Sequence, residues 1–139
     1  MEKIEENIDK IVDLSIEDGA NHGNRNVSGE WISQVGSKVT LRQSGNYIVG
    51  TFTREDGIAH RLLGSIVSEH SGEVGIALSF SVAWSSNSDP KYRCVTSYTG
   101  QYHPDKEFIS TVFLLASETL PSKDYAAVSV GTDVFKRRS

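Results

Sequence analysis

The chain has 139 residues, of which 37% are hydrophobic and 23% charged, with twelve glycines and three prolines. This length fits one domain with a real core, and the composition argues against a disordered chain and against a membrane protein. The formal net charge is −4. Because residues 1–18 hold seven of the acidic residues, the remainder is close to neutral. It shows no basic stripe with interleaved aromatics, so a nucleic-acid partner is not expected.

Cysteine and histidine are too few and too scattered for catalytic or metal chemistry. Cys94 is the only cysteine, which excludes an intrachain disulfide and a thiolate metal site. The histidines at positions 22, 60, 70 and 103 have no spacing typical of a metal site or a catalytic triad. We therefore expect neither an enzyme nor a cofactor.

The N-terminal region differs in pattern from the rest of the chain. Its apolar side chains recur at helical spacing and predict an amphipathic helix; they are Ile4, Ile8, Ile11, Val12 and Ile16. We assign residues 1–26 to a helical extension with its linker and residues 27–139 to a β-barrel. The extension lacks the apolar run of a secretory signal, so a cytoplasmic protein is expected, or a secreted one if the N-terminus is processed or engineered.

After residue 27 the apolar residues alternate with period two between turn residues, a pattern typical of antiparallel strands. Eight strands are predicted, near residues 28–33, 37–43, 46–54, 59–69, 74–85, 91–102, 107–117 and 125–137. Every connection is short, so neighbours in sequence should pair. The predicted fold is all-β, an eight-stranded antiparallel up-and-down barrel with room for a small ligand.

Alternation also predicts which side chains face the lumen. In the fifth strand one face carries Leu78, Phe80, Val82 and Trp84. The corresponding faces of the next two strands carry Tyr92, Cys94, Thr96, Tyr98 and Tyr102, and then Thr111, Phe113 and Leu115. In the last strand Asp133 shares a face with Phe135. A buried carboxylate needs hydrogen-bond donors, so Asp133 is a candidate site residue.

Six segments in a fixed order carry a family resemblance. They are Gly29–Trp31 with Gly36–Ser37, Val49–Phe52, Phe80–Trp84, Thr99–Tyr102, Val112–Leu115 and Val130–Phe135. Over residues 27–138 the chain resembles the avidin and streptavidin family of biotin-binding barrels. The resemblance implies noncovalent binding of biotin or a close ureido analogue, sequestration of the vitamin, and a homo-oligomer, either a tetramer or a dimer.

The resemblance also implies roles for individual residues. Ser37 matches a donor to the ureido oxygen, Asp133 an acceptor from a ring N–H, and Thr96 the hydroxyl that meets the thioether sulfur. The matching apolar walls are Trp84, Tyr98, Phe113 and Leu115.

Several pocket positions depart from the family pattern. Ser33 replaces an Asn and Phe52 replaces a Tyr, so two donors to the ureido oxygen are altered. The other departures are Cys94 for a Ser near the ligand carboxylate, Phe113 for a Trp, and Tyr125 for a Trp that reaches the neighbouring subunit's site. The loop Thr53–Ala59 is short and carries Arg54, which would suit a carboxylate. We expect affinity about a thousand to ten thousand times below the family's upper limit.

Two other functions are compatible with the strand pattern. One is a lipocalin-like carrier of a different small apolar ligand. The other is an avidin-like assembly module in which ligand binding has weakened.

Overall fold

A computed structural model describes residues 26–67, 75–84, 93–118 and 120–138, without the side chains of residues 124–126. The predicted helix within residues 1–18 lies outside these ranges. The described ranges contain eight strands: β1 Gly29–Ser33, β2 Lys38–Ser44, β3 Tyr47–Thr53, β4 Ala59–Ile66, β5 Ile76–Trp84, β6 Cys94–His103, β7 Phe108–Ser117 and β8 Val128–Arg137. A 3₁₀ helix, Pro121–Ala126, precedes β8. None of the described helical residues forms a segment long and apolar enough to cross a membrane.

The strands close into one antiparallel barrel in sequence order. Closure is made by β1 and β8, where Trp31 lies opposite Arg137 and Ser33 opposite Phe135. Because each strand pairs on both sides, the barrel has no free edge. The predicted up-and-down barrel is confirmed.

The predicted start of the eighth strand was wrong. The eighth strand was expected from residue 125, but it begins at Val128 because residues 121–126 wind into the 3₁₀ helix. That helix starts at Pro121, whose ring fixes φ and removes an N–H that a ladder would need. The β7–β8 connection is correspondingly longer than predicted.

One end of the barrel is filled by a ring stack around Trp31. The Trp31 side chain is fully buried, and its indole N–H donates to the Val27 carbonyl oxygen at 2.9 Å. The Arg137 guanidinium lies 4.4 Å from the Trp31 ring centroid, and Tyr102 meets that ring edge to face at 5.6 Å. This end, where the β2–β3 and β6–β7 connections lie, is therefore closed by packing.

The predicted inward faces are confirmed where the structure describes them. Leu78, Phe80, Val82 and Trp84 on β5 are at most 5% exposed, whereas alternate residues such as Ala77 and Ala83 face outward. The lumen is thus lined by large apolar side chains, and any polar group among them stands out. Those polar groups cluster toward the end opposite Trp31.

Candidate functional site

The β1–β2 turn gathers three polar residues at the end of the lumen opposite Trp31. The Ser33 hydroxyl oxygen accepts a hydrogen bond from the Ser37 N–H at 3.0 Å, and the Ser33 N–H donates to the Ser37 carbonyl oxygen at 2.9 Å. Gly36 has φ of 86°, a value that glycine adopts readily and that lets the chain reverse within the turn. Ser33, Ser37 and Asp133 are each at most 7% exposed. Ser33 therefore fixes the turn that presents Ser37.

Asp133 is held against this turn by backbone donors. One carboxylate oxygen, Oδ1, accepts from the Val134 N–H at 2.8 Å and from the Gln34 N–H at 3.2 Å. Burial raises the pKa of Asp133, and the two backbone donors oppose that rise. Among the described residues the other oxygen, Oδ2, has no hydrogen-bond partner. Asp133 thus offers one anchored oxygen and one oxygen able to accept from a ligand.

Aromatic side chains surround these polar groups. Phe52 meets Trp84 edge to face at 5.0 Å between ring centroids and stacks on Tyr98 at 5.8 Å. Tyr98 stacks on Phe80 at 5.0 Å, and Phe135 contacts Tyr98 edge to face at 5.6 Å. Sequence reasoning placed Phe80 and Phe135 on inward faces but not in the binding wall. The alternation that places both side chains on the inward face was the signal that could have added them to the predicted binding wall.

Trp84 is locked in place by Thr96. The indole N–H of Trp84 donates to the Thr96 hydroxyl oxygen at 2.8 Å, in a buried contact between neighbouring strands. The hydroxyl hydrogen of Thr96 remains available to another acceptor. Thr96 therefore orients an aromatic wall, a task that the sequence did not predict for it.

The mouth of the lumen carries a positive charge close to Trp84. The Arg54 guanidinium carbon lies 5.2 Å from the Trp84 ring centroid, within the range of a cation–π contact. Arg54 begins the β3–β4 hairpin turn, in which the Gly57 N–H donates to the Arg54 carbonyl oxygen at 2.9 Å and the Ile58 N–H to Asp56 at 2.9 Å. The predicted short loop is a tight turn, so Arg54 has a defined position.

His60 is a buried side chain at the same mouth that the sequence prediction missed. Its ring lies edge on to Trp84, with centroids 4.9 Å apart. Burial lowers the pKa of His60, Arg54 lowers it further, and Asp56 opposes both. His60 shares inward parity with the buried Leu62 on β4. Inspection of that parity would have found it.

Cys94 lies opposite Trp84 in the β5–β6 ladder and is partly buried. Burial raises the pKa of the Cys94 thiol, against the influence of Arg54. With this thiol and His60 neutral, Arg54 brings a positive charge to the Trp84 ring. A cavity of about 320 Å³ opens between the β1–β2 and β3–β4 turns. It is lined by Val35, Ser37, Arg54, Glu55 and Asp56.

The family comparison agrees with this arrangement. A sequence model of the avidin family matches residues 21–138. The chain belongs to the avidin family. Members of this family are non-enzymatic binding proteins, so this chain is a binding protein and not an enzyme. No curated protein sequence matches the chain.

In this avidin-family barrel the remaining predicted site residues lie on β7 and before β8. The Phe113 ring lies 5.5 Å from that of Tyr98, and a Cβ at Gly131 would overlap it. Leu115 is half-buried and pairs with Thr96. Tyr125 lies in the 3₁₀ helix, and its side chain is outside the described part of the chain, so its predicted inter-subunit role stays a prediction.

The described residues contain no group of three or more His, Cys, Asp or Glu able to hold a metal ion. The lumen of this family member presents hydrogen-bonding groups and aromatic faces. Such a lining suits recognition of a neutral organic ligand that is polar at one edge.

Proposed function

We propose that this avidin-family protein binds biotin, or a close ureido analogue, noncovalently in the barrel lumen and thereby sequesters it. The observation that carries the proposal is the placement of Asp133. A buried carboxylate with one oxygen anchored on backbone N–H groups lies beside the turn of Ser37, inside an aromatic wall. Family membership and the barrel support a binding function of this general type.

A cyclic urea is complementary to these groups. It is neutral, with one carbonyl oxygen that accepts hydrogen bonds and two N–H groups that donate. In the proposed complex the Ser37 hydroxyl donates to the ureido oxygen, and Asp133 accepts from a ring N–H. The rings pack against Phe52 and Trp84, which are at most 5% exposed. Burial in such a site strengthens each hydrogen bond relative to water.

The acyl tail extends to the mouth. Arg54 lies there over Trp84, and its charge favours a carboxylate at the end of the tail. Arg54 is exposed, so screening by water and salt keeps this contribution small. In the proposed complex the thioether sulfur lies in the middle of the lumen, on the side of the acyl tail. There the hydroxyl hydrogen of Thr96 can donate to it.

Titration of the purified protein with biotin in a calorimeter tests the proposal. We expect saturable binding at one site per chain. Absence of heat at micromolar concentrations, from folded protein shown to be free of ligand, would overturn the proposal in favour of an assembly module. Binding of a fatty acid or retinoid without biotin would favour a lipocalin-like carrier.

Two substitutions test the polar contacts. Ser37→Ala should weaken biotin binding by about 2- to 10-fold, as for a lost neutral hydrogen bond, and Asp133→Ala by about 10- to 100-fold, as for a lost charged one. The matched controls are Ser97→Ala and Asp105→Ala, which alter exposed residues and should leave affinity unchanged. If the site variants bind as tightly as their controls, the residue assignment is wrong.

A further inference from the structure

Tyr98 carries a hydroxyl that no described residue hydrogen-bonds. Its side chain is 5% exposed, and its ring is held on two sides by Phe52 and Phe80, with interplanar angles of 19° and 26°. The Tyr98 ring is therefore fixed, and its hydroxyl is available to hydrogen-bond a ligand.

Tyr102, four residues further along β6 and on the same face, shows the contrast. Its hydroxyl receives a hydrogen bond from Arg137 Nη2 at 3.1 Å, at the closed end of the barrel. The two tyrosines share a strand, a parity and near-complete burial. Only the hydroxyl at the site end lacks a partner within the described ranges.

Two charged groups of the site, Asp133 and Arg54, influence the Tyr98 hydroxyl. Burial raises the pKa of Tyr98 strongly; the Asp133 carboxylate raises it further, and Arg54 opposes the rise. The hydroxyl therefore stays protonated at neutral pH and can donate.

The site also needs another donor. A ureido oxygen has two lone pairs and accepts more than one hydrogen bond. Phe52 has no hydroxyl, so position 52 cannot supply one of these donors. Because Phe52 and Tyr98 stack on one another, a hydroxyl missing from one ring can be supplied from the other.

We propose that Tyr98 determines specificity for a ureido ligand by donating its hydroxyl hydrogen to the ureido oxygen, in place of the hydroxyl that Phe52 lacks. This inference rests on the proposed function of biotin binding. Tyr98 was predicted as part of the apolar wall, and the inference gives its hydroxyl a role in recognising the ligand.

Calorimetric titration of Tyr98→Phe with biotin tests the inference. We expect affinity about 2- to 10-fold weaker than wild type, since the ring is retained and one hydrogen bond is lost. Tyr102→Phe is the matched control and should bind biotin as wild type does. Thermal unfolding of both variants verifies that each is folded.

A double-mutant cycle with Phe52→Tyr tests whether the hydroxyl at position 98 replaces one at position 52. Adding Phe52→Tyr to Tyr98→Phe should restore affinity, and the gain should exceed that of Phe52→Tyr in the wild-type background. With 2-iminobiotin in its protonated form the ligand offers a donor where biotin has its oxygen, so Tyr98→Phe should cost less affinity than it does with biotin.

The failures of the two proposals are distinguishable. If wild type does not bind biotin, the proposed function fails and the role of Tyr98 fails with it. If wild type binds but Tyr98→Phe matches Tyr102→Phe, or the cycle shows no coupling between positions 52 and 98, the role of Tyr98 is overturned while biotin binding stands.

Discussion

Asp133 is a residue at which binding and stability oppose one another. Its carboxylate is 7% exposed, and burial raises its pKa above the ordinary 3.8. The folded state therefore holds this proton more tightly than the unfolded state does. Stability that is present below pH 3.8 is lost as pH rises through the raised value, so at neutral pH the ionised carboxylate weakens the fold.

Asp133→Asn should raise the melting temperature at pH 7 and weaken biotin binding. The Asn amide oxygen can keep the Gln34 and Val134 hydrogen bonds without a buried charge, but its NH₂ group would face a ligand N–H. Thermal unfolding at pH 7 and pH 3, with calorimetry at pH 7, measures both effects. The difference in melting temperature between Asp133→Asn and wild type should disappear at pH 3, where Asp133 is protonated in both the folded and the unfolded state. A difference in melting temperature that is the same at pH 3 and pH 7 would contradict this account.

Residue chemistry alone predicted Asp133 as a site, because a carboxylate sharing a face with Phe135 needs donors. It did not predict which donors, since the Gln34 N–H reaches Asp133 only through the path of the β1–β2 turn. Ser33 illustrates the same limit. The sequence marked it as an altered ligand contact, and the structure shows it fixing the Ser37 backbone.

At the scale of elements, the pairing of β6 and β7 depends on a glycine in the strand interior. Gly100 lies opposite Thr111, and a Cβ there would overlap the backbone carbonyl oxygen of Ser110. A glycine within a strand often marks such a close backbone approach. The two strands that carry Tyr98, Thr96 and Phe113 meet at this point.

Gly100→Ala should therefore lower the free energy of unfolding by about 1–3 kcal/mol, as expected for overpacking. Urea denaturation monitored by circular dichroism measures the change. Thr99→Ala, an outward-facing neighbour, is the control and should change stability by less than about 0.5 kcal/mol. Equal effects of the two substitutions would show that the close approach does not constrain position 100.

Strand number and order could be predicted because period two and short turns leave few alternatives. The start of β8 could not, because residues 125 and 126 are as compatible with a strand as with the 3₁₀ helix that Pro121 begins. The role of Gly100 also escaped local patterns. It depends on the cross-strand register, which a single segment does not contain.

At the scale of the whole molecule, the outer surface of β7 and β8 is apolar and exposed. Val112, Leu114, Val128 and Val130 are 52%, 54%, 58% and 68% exposed, and Leu114 lies directly opposite Val130. Single exposed apolar residues are ordinary, but a contiguous patch marks an interaction surface. Alternation predicted an outward face here, whereas the contiguity of these residues follows from the barrel's register.

We propose that a second copy of this chain covers that patch, in line with the oligomer expected from the resemblance. The double variant Leu114→Lys with Val130→Lys places two charges at its centre, where desolvating them would oppose association. By size-exclusion chromatography with light scattering, wild type should have a multiple of the 15.3 kDa chain mass and the variant the single mass. Tyr47→Lys, which changes a residue 52% exposed on β3, should keep the wild-type mass. A monomeric wild type, or a variant of unchanged mass, contradicts the proposal.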